Sequence, residues 1–307
     1  MPVRRPKVAV LLAAYNGIQW IEEQLTSILG QSGVEVSIHI SIDPSSDGTE
    51  KWCAAFAAKH PQISLLPDAG KFGGASRNFF RLIRDVDFPS YDFIALADQD
   101  DVWHQDKLLR ATSEIDSRQV DAYSSNVTAF WPDGRTHLLD KAQTQVAWDY
   151  LFEAAGPGCT YVFDQRFACA LKTSVINNWE KVQEVRLHDW YCYAFARSHG
   201  FRWFIDPVPT MDYRQHANNQ VGANKGLSSL LARYKTIHDG WWFRQVRIIA
   251  LLVGQGDHPF VQSRLQLKRF QLIRLSFDAW KCRRRFRDKV FFFFVCWVFA
   301  FSGNRSE

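Results

Sequence analysis

The run Ala97-Asp98-Gln99-Asp100-Asp101-Val102-Trp103 places three carboxylates within four positions. Like charges this close disfavour one another's ionisation unless a cation sits among them. Hard carboxylate oxygens suit Mg2+ or Mn2+, and such an ion also binds substrate phosphates. The residue types therefore point to a metal–diphosphate site at Asp98 and Asp100. An Asp-rich surface turn is the alternative that these residues alone leave open.

The elements around this run give it a place. Tyr91 to Leu96 is an apolar run bounded by polar residues and reads as a buried strand, so the carboxylates sit at its carboxyl end. Open α/β sheets bind their ligands at that end. Val8 to Ala14 reads as a buried parallel strand. Ile18, Ile21, Leu25 and Ile28 give 17–30 one apolar helical face, with Asn16 expected to cap it. Val34 to Ile42 reads as a second strand. It ends at the polar turn Asp43-Pro44-Ser45-Ser46-Asp47-Gly48-Thr49, which opens a helix near 49–59; Asp47 suits that helix's cap. Ile63 to Leu66 is a third strand, Gly70, Gly73 and Gly74 a loop, and the segment through Arg77, Phe80 and Ile83 a helix. Helix follows again over 104–117. Strands alternating with helices over the first 120 or so residues predict βαβ units on a parallel sheet.

Beyond residue 120 the rhythm changes. Asp121 to Trp131 reads as a strand ending in the turn Pro132-Asp133-Gly134. Gly156-Pro157-Gly158 is a tight loop before the run Thr160 to Phe163. A helix over 188–199 stops at Gly200, a short strand follows at 201–205, and the chain is mostly helical from Leu227 onward.

A chain of 307 residues with 47% hydrophobic and 22% charged residues buries a sizeable core and is not disordered. The net charge of +5 is uneven: residues 264–289 hold ten Lys and Arg against Asp278 and Asp288, so that segment carries +8 and the rest −3. The basic charge is a C-terminal feature and says nothing of a nucleic-acid face on the main body, and no nucleic-acid partner is expected. The six cysteines are scattered without paired spacing and read as reduced thiols of a cytoplasmic protein. No small-residue cleavage site follows the apolar run 8–14, which argues against a signal peptide.

The order of several short motifs resembles the family 2 glycosyltransferases. They are Ala14-Tyr15-Asn16-Gly17, Asp43 with Ser46-Asp47-Gly48-Thr49, Asp98-Gln99-Asp100, His188-Asp189-Trp190, and Tyr213-Arg214-Gln215-His216-Ala217-Asn218-Asn219. The resemblance covers about residues 7–225. Asp98–Trp103 and Tyr213–Gly222 are most similar to bacterial rhamnosyltransferase-like members. It implies a GT-A fold, an α/β, Rossmann-like, mostly parallel sheet flanked by helices over 1–225, followed by a basic, aromatic-rich helical region over 226–307. It also implies an inverting transfer of a sugar from a nucleotide diphosphate to a hydroxyl. The favoured donor is dTDP-rhamnose. The acceptor would be a lipid-linked or lipopolysaccharide glycan, as in O-antigen assembly.

The same resemblance distributes roles. Ala13, Tyr15, Asn16 and Asp43 would hold the nucleotide, with Asp43 accepting from the base imide N–H. Arg77 would reach the base or ribose, or else be a solvated helix residue. Asp100 is the surer metal ligand, Asp98 a ribose contact or second ligand, and Asp101 is extra to the minimal motif. Asp189 matches the family's general base, which takes the acceptor proton as the bond forms; as a helix cap it would have no such role. Arg214 and His216 would grip the diphosphate, with His216 also reaching the metal. Trp190 and Tyr191 either face a sugar ring or fill the core.

Rival readings are an aspartyl-phosphate phosphatase on Asp98-x-Asp100, a nucleotidyltransferase on a related fold and a non-catalytic glycan- or membrane-binding protein. The first lacks its Gly-Asp-x-x-x-Asp companion, and the second lacks a basic Gly-rich loop after strand one. Asp98, Asp100 and Asp189 together argue against the third.

At the C-terminal end Phe270, Ile273, Phe277 and Trp280 form an apolar helical stripe beside many cations, and Val290 to Phe301 has no charge. Twelve helical residues rise ~18 Å, short of the ~30 Å hydrocarbon core of a bilayer. The pattern predicts an in-plane attachment to the anionic inner face of the plasma membrane. A helical pair packed on the catalytic domain or on a second copy is the alternative.

Overall fold

A computed structural model describes residues 4–216, 240–266 and 268–301. The segment Ala217–Gly222, the expected boundary near 225 and the start of the helical region at Leu227 lie outside these residues. The chain divides into two compact units. The first draws its described residues from 1–142, 156–189 and 200–222; the second draws from 143–155, 190–199 and 223–307. Two early segments thus join the C-terminal region in the second unit.

The first unit holds every strand among the described residues. Its main sheet runs β10-β6-β9-β4-β1-β2-β3. Here β1 is Lys7–Ala14, β2 Glu35–Ile42, β3 Ile63–Leu65 and β4 Phe93–Ala97, while β6 is Ala122–Ser125, β9 Val162–Asp164 and β10 Trp203–Asp206. β1 lies between β2 and β4 and is parallel to both, and its residues Val8 to Leu12 are wholly buried. A central strand covered on both faces reads as an unbroken apolar run, which is why it was visible in sequence. Only β9 breaks the parallel pattern, antiparallel to both β4 and β6.

A second, four-stranded sheet follows the order β5-β11-β7-β8, with β5 Val102–Trp103, β7 Val127–Phe130, β8 Thr136–Leu139 and β11 Met211–Arg214. The expected single strand over 121–131 is therefore two strands in different sheets, broken at Asn126. That residue's side chain donates to Asp140 and to the Pro207 carbonyl, and accepts from Lys141 N–H.

The helices of this unit are α1 Ile21–Leu29, α2 Thr49–Ala57, α3 Ala75–Asp85, α4 Lys107–Arg118, α5 Gln165–Asn177, α6 Trp179–Val182 and α7 His188–Ser198, the last continuing into the second unit. Asn16 does not cap α1, which begins four residues later than expected; Asn16 instead takes a left-handed conformation (φ 47°). The sequence reading offered nothing for α5. Asp164 caps it by accepting from Phe167 N–H at 2.7 Å, a signal present in the sequence as Asp before an apolar run.

The second unit is helical, with helices at Trp241–Leu252, Pro259–Arg264, Arg269–Phe277, Ala279–Cys282 and Phe286–Phe301. A buried ion cluster pins it. Asp149 accepts from Tyr193 Oη (2.8 Å), Arg197 (3.0 Å) and Arg284 (3.1 Å), and Arg284 also lies near Glu153. Trp190 and Tyr191 settle as core residues, 2% and 0% exposed, with the Trp190 indole N–H donating to the Tyr150 carbonyl at 2.9 Å. They present no face to a sugar.

Candidate active site

The carboxyl ends of β1, β2 and β4 converge, because Ala13 and Ala14 pair with Ser41 and Ile42 while Leu12 pairs with Ala97. This brings Tyr15, Asn16, Asp43 and Asp98 to one edge. Gln99 locks two of the three ends together: its Oε1 accepts from Tyr15 N–H at 2.8 Å and its Nε2 donates to Tyr15 O at 2.9 Å. A Cβ at Gly17 would lie 2.1 Å from Gln99 Oε1, so only glycine admits this lock. Asn16 is spent in the same framework, donating its N–H to Ser45 Oγ and accepting from Ser46 N–H. Asp47 accepts from Ile18 and Thr49, tying β1's exit to the start of α2.

Asp43 is buried, and its oxygens accept from Phe72 N–H (3.1 Å) and Gly73 N–H (2.8 Å). The sequence reading gave the carboxylate to a base; here it holds the glycine loop, and each oxygen keeps a further lone pair. Arg77 is half-buried and donates to the Gln183 and Phe72 carbonyls, on the same side of that loop.

The three carboxylates of the run split in role. Asp98 is half-buried and Asp101 fully buried; burial, then the charge of Asp100, pushes both carboxyls upward from the ordinary range. Asp189, at the head of α7, is near enough for its charge to add to the effect at Asp98. Asp101 Oδ1 accepts from Arg214 N–H at 3.2 Å. Its Oδ2 is buried without a hydrogen-bond partner among the described residues. Asp100 Oδ2 lies 2.7 Å from His216 Nε2, and the Asp100 carbonyl accepts from Arg214 Nε at 2.9 Å. Arg214 also pairs with Glu23, and the His216 ring stacks on Trp20 at 3.9 Å.

Two further residues, Cys159 and Lys107, belong to this cluster, and His188 lies beside the turn that carries Cys159. Cys159 places its sulfur with Asp98 and Asp101, the ligand atoms of all three lying within 4.8 Å of one another. Lys107 is fully buried, its ammonium 4.3 Å from the Trp103 ring centroid. Burial lowers it to about 8, against the pull of Cys159 and Asp101. His188 is buried against Phe79 (4.0 Å). Cys159 and Lys107 carried no signal in the sequence, since a lone Cys and a helix-start Lys are ordinary. His188 was visible only as the neighbour of Asp189.

The donor set fits a hard divalent ion. Crowded carboxylates forced towards protonation, one with an orphaned buried oxygen, are relieved by positive charge. The ligand atoms that lie within 4.8 Å of one another are those of Asp98, Asp101 and Cys159, while Asp100 meets His216; Asp98, Asp100 and His216 are the residues expected to hold the ion.

Comparison with known proteins gives the family and the fold. Residues 9–176 match the profile described as Glycosyl transferase family 2. The chain belongs to that family, and it is a glycosyltransferase. It is 45% identical over 281 residues to the dTDP-rhamnosyl transferase RfbG of Shigella flexneri, covering 91% of this chain and 96% of the relative. The succinoglycan biosynthesis protein ExoO of Rhizobium meliloti is 29% identical over 132 residues, which cover 43% of this chain and 36% of that protein. The GT-A fold is shared with S. aureus TarS 1-349 in complex with UDP-GlcNAc (TM-score 0.58, 13% identity, 96% of this chain, 79% of that one). It is also shared with the mannosyltransferase PcManGT of Pyrobaculum calidifontis in complex with GDP-Man and Mn2+ (TM-score 0.50, 15% identity, 99% and 89%).

Burial lowers the His188 ring from its ordinary value to about 3. The unfolded chain takes up this proton near pH 6.5 while the folded chain refuses it. Stability should therefore fall as pH drops from about 6.5 towards 3. Thermal melts are expected to show the wild-type midpoint falling more steeply between about pH 7 and pH 5 than that of His188→Gln. Parallel curves would contradict the buried, neutral imidazole.

Proposed function

We propose that this chain transfers L-rhamnose from dTDP-rhamnose to a hydroxyl of a bacterial surface glycan, with inversion. The observation that carries the donor is the 45% identity to a dTDP-rhamnosyl transferase along 96% of that relative's length. The acceptor reading rests on the same resemblance, and a lipid-linked glycan is the acceptor class.

Asp189 is the proposed general base. The turn residues Gly158 and Cys159 lie against Asp189 and Asp98 respectively, which supports an acceptor hydroxyl at Asp189 beside a donor at the strand ends. A carboxylate there takes the hydroxyl proton as the new glycosidic oxygen bond forms and the nucleoside diphosphate leaves. A divalent ion, Mg2+ or Mn2+, held by Asp98, Asp100 and His216 would supply charge neutralisation for the diphosphate. Arg214, already fixed by Asp100 and Asp101, adds a second positive group at the same edge. Tyr15, Asn16, Asp43 and Arg77 frame the nucleotide pocket, with Ala13 at its floor.

The second unit supports peripheral attachment to an anionic membrane. Phe270, Phe277, Trp280, Phe286, Phe294 and Phe301 are exposed by 51% to 80%. Among the ten cations of the basic segment, Arg264 is spent on Asp278 and Arg284 on Asp149, whereas Lys268, Arg269, Arg274, Lys281 and Arg287 are exposed. Exposed aromatics ringed by exposed cations suit the interface of an anionic bilayer. Among the described residues no helix is long and apolar enough to cross a membrane.

Incubation of the purified chain with dTDP-rhamnose, a lipid-linked rhamnoside acceptor and Mg2+ or Mn2+, scored by dTDP release, tests the transfer. Asp189→Asn should slow it by roughly 10²–10⁴-fold and leave nucleotide binding intact. A variant with normal transfer removes Asp189 from the role. Full-length chain should co-sediment with phosphatidylglycerol vesicles at low salt and less at high salt, as lipid attraction is screened. The triple substitution Phe270→Ser, Phe277→Ser and Phe286→Ser should lose that binding, and equal binding by this variant would contradict the attachment.

A further inference from the structure

The turn at 156–160 touches both halves of the proposed site. Gly158 is buried, and a Cβ there would lie 2.6 Å from His188 Nε2, 3.2 Å from His188 Cε1 and 3.2 Å from Asp189 Cβ. The imidazole has little room to retreat, because it stacks on Phe79 at 4.0 Å and 22°, and Phe79 is itself wholly buried. The next residue, Cys159, is fully buried with its sulfur against Asp98 and Asp101.

The turn is well anchored. Thr160 donates to the Pro157 carbonyl through both its N–H (3.0 Å) and its hydroxyl (2.7 Å). Tyr161 N–H donates to Gly158 O at 2.9 Å, and Tyr161 Oη donates to Gly156 O at 3.2 Å. Tyr161 O in turn accepts from Leu96 N–H at 3.0 Å, on the strand that delivers Asp98. Gly156 has φ +152°, a conformation that side chains rarely adopt.

We infer that Gly158-Cys159 is a positioning element for the transfer, fixing the separation between Asp189 and Asp98. One residue seats the head of α7, its neighbour seats the carboxylate at the end of β4, and one peptide unit joins them. The inference rests on the roles proposed above for Asp189 and Asp98. Displacement of a reacting group by about 1 Å costs on the order of 10²-fold in rate. A methyl group at 158 must push His188, and with it Asp189, while the nucleotide-binding strand ends stay in place. The loss should thus appear in kcat for transfer and not in the KM for donor.

The test uses the full chain with dTDP-rhamnose and the lipid-linked rhamnoside acceptor, comparing Gly158→Ala, His188→Ala and the double variant. Gly158→Ala should lower kcat by at least about tenfold with donor KM changed less than about twofold. The double variant should be faster than Gly158→Ala, since the 2.6 Å contact with the ring is gone and only the 3.2 Å contact with Asp189 Cβ remains. Wild-type kcat in Gly158→Ala, a rise in donor KM in place of the kcat loss, or a double variant no faster than Gly158→Ala overturns the inference. Should Gly158→Ala fail to fold, the double variant decides alone: a folded double variant with donor KM unchanged within about twofold and transfer within about tenfold of His188→Ala supports the inference, and a larger loss or a raised donor KM overturns it. Asp189→Asn separates the two readings. Normal transfer by that variant removes the base assignment itself, whereas an inactive Asp189→Asn beside a fully active Gly158→Ala removes only the positioning role.

Discussion

Mutual repulsion among carboxylates at the end of one buried strand is the constraint on which the site depends. Asp98, Asp100 and Asp101 cannot all be ionised at the mouth of a wholly buried strand without compensation. The chain offers some of it from within. Lys107 lies buried beneath, Arg214 gives Asp101 its backbone N–H, and His216 meets Asp100. The compensation is incomplete, as the upward shifts of Asp98 and Asp101 and the orphaned Asp101 oxygen indicate. A site short of positive charge, at the carboxyl edge of a parallel sheet, is suited to a cation and the phosphates that follow it.

The framework that holds these groups is made of side chains bonded to backbone. Gln99 uses its whole amide to join β4's exit to β1's, and Asp43 uses both oxygens to hold the loop before α3. Side chains that resemble ligand contacts in sequence are thus also structural ties, and the two roles share lone pairs instead of competing for them.

Much of this was legible because its signals are local. The strand runs 8–14 and 91–96 are apolar and bounded, and a carboxylate triplet at a strand end is visible without a structure. What was not legible arises from contacts between distant positions. Asp101 looked like an extra acid but is the buried tie to Arg214, 113 residues away. Cys159, Lys107 and Gly158 are unremarkable types whose meaning comes only from what the fold lays against them. Trp190 had two readings until its indole was seen to be buried against Tyr150. The basic segment showed its charge in sequence but not its division, since Arg284 and Arg264 are consumed in ion pairs while Lys268 and Arg269 remain outside. The break of the expected 121–131 strand at Asn126 likewise depends on partners at 140, 141 and 207.

On the function proposed above, a divalent ion completes the carboxylate cluster when nucleotide binds. Calorimetric titration of dTDP into the full-length chain, with Mn2+ and then with chelator, measures this directly. Affinity should be at least about tenfold higher with Mn2+, and a folded Asp100→Ala variant should lose that gain. Equal affinity with ion and with chelator, or a full Mn2+-dependent gain in Asp100→Ala, would contradict it.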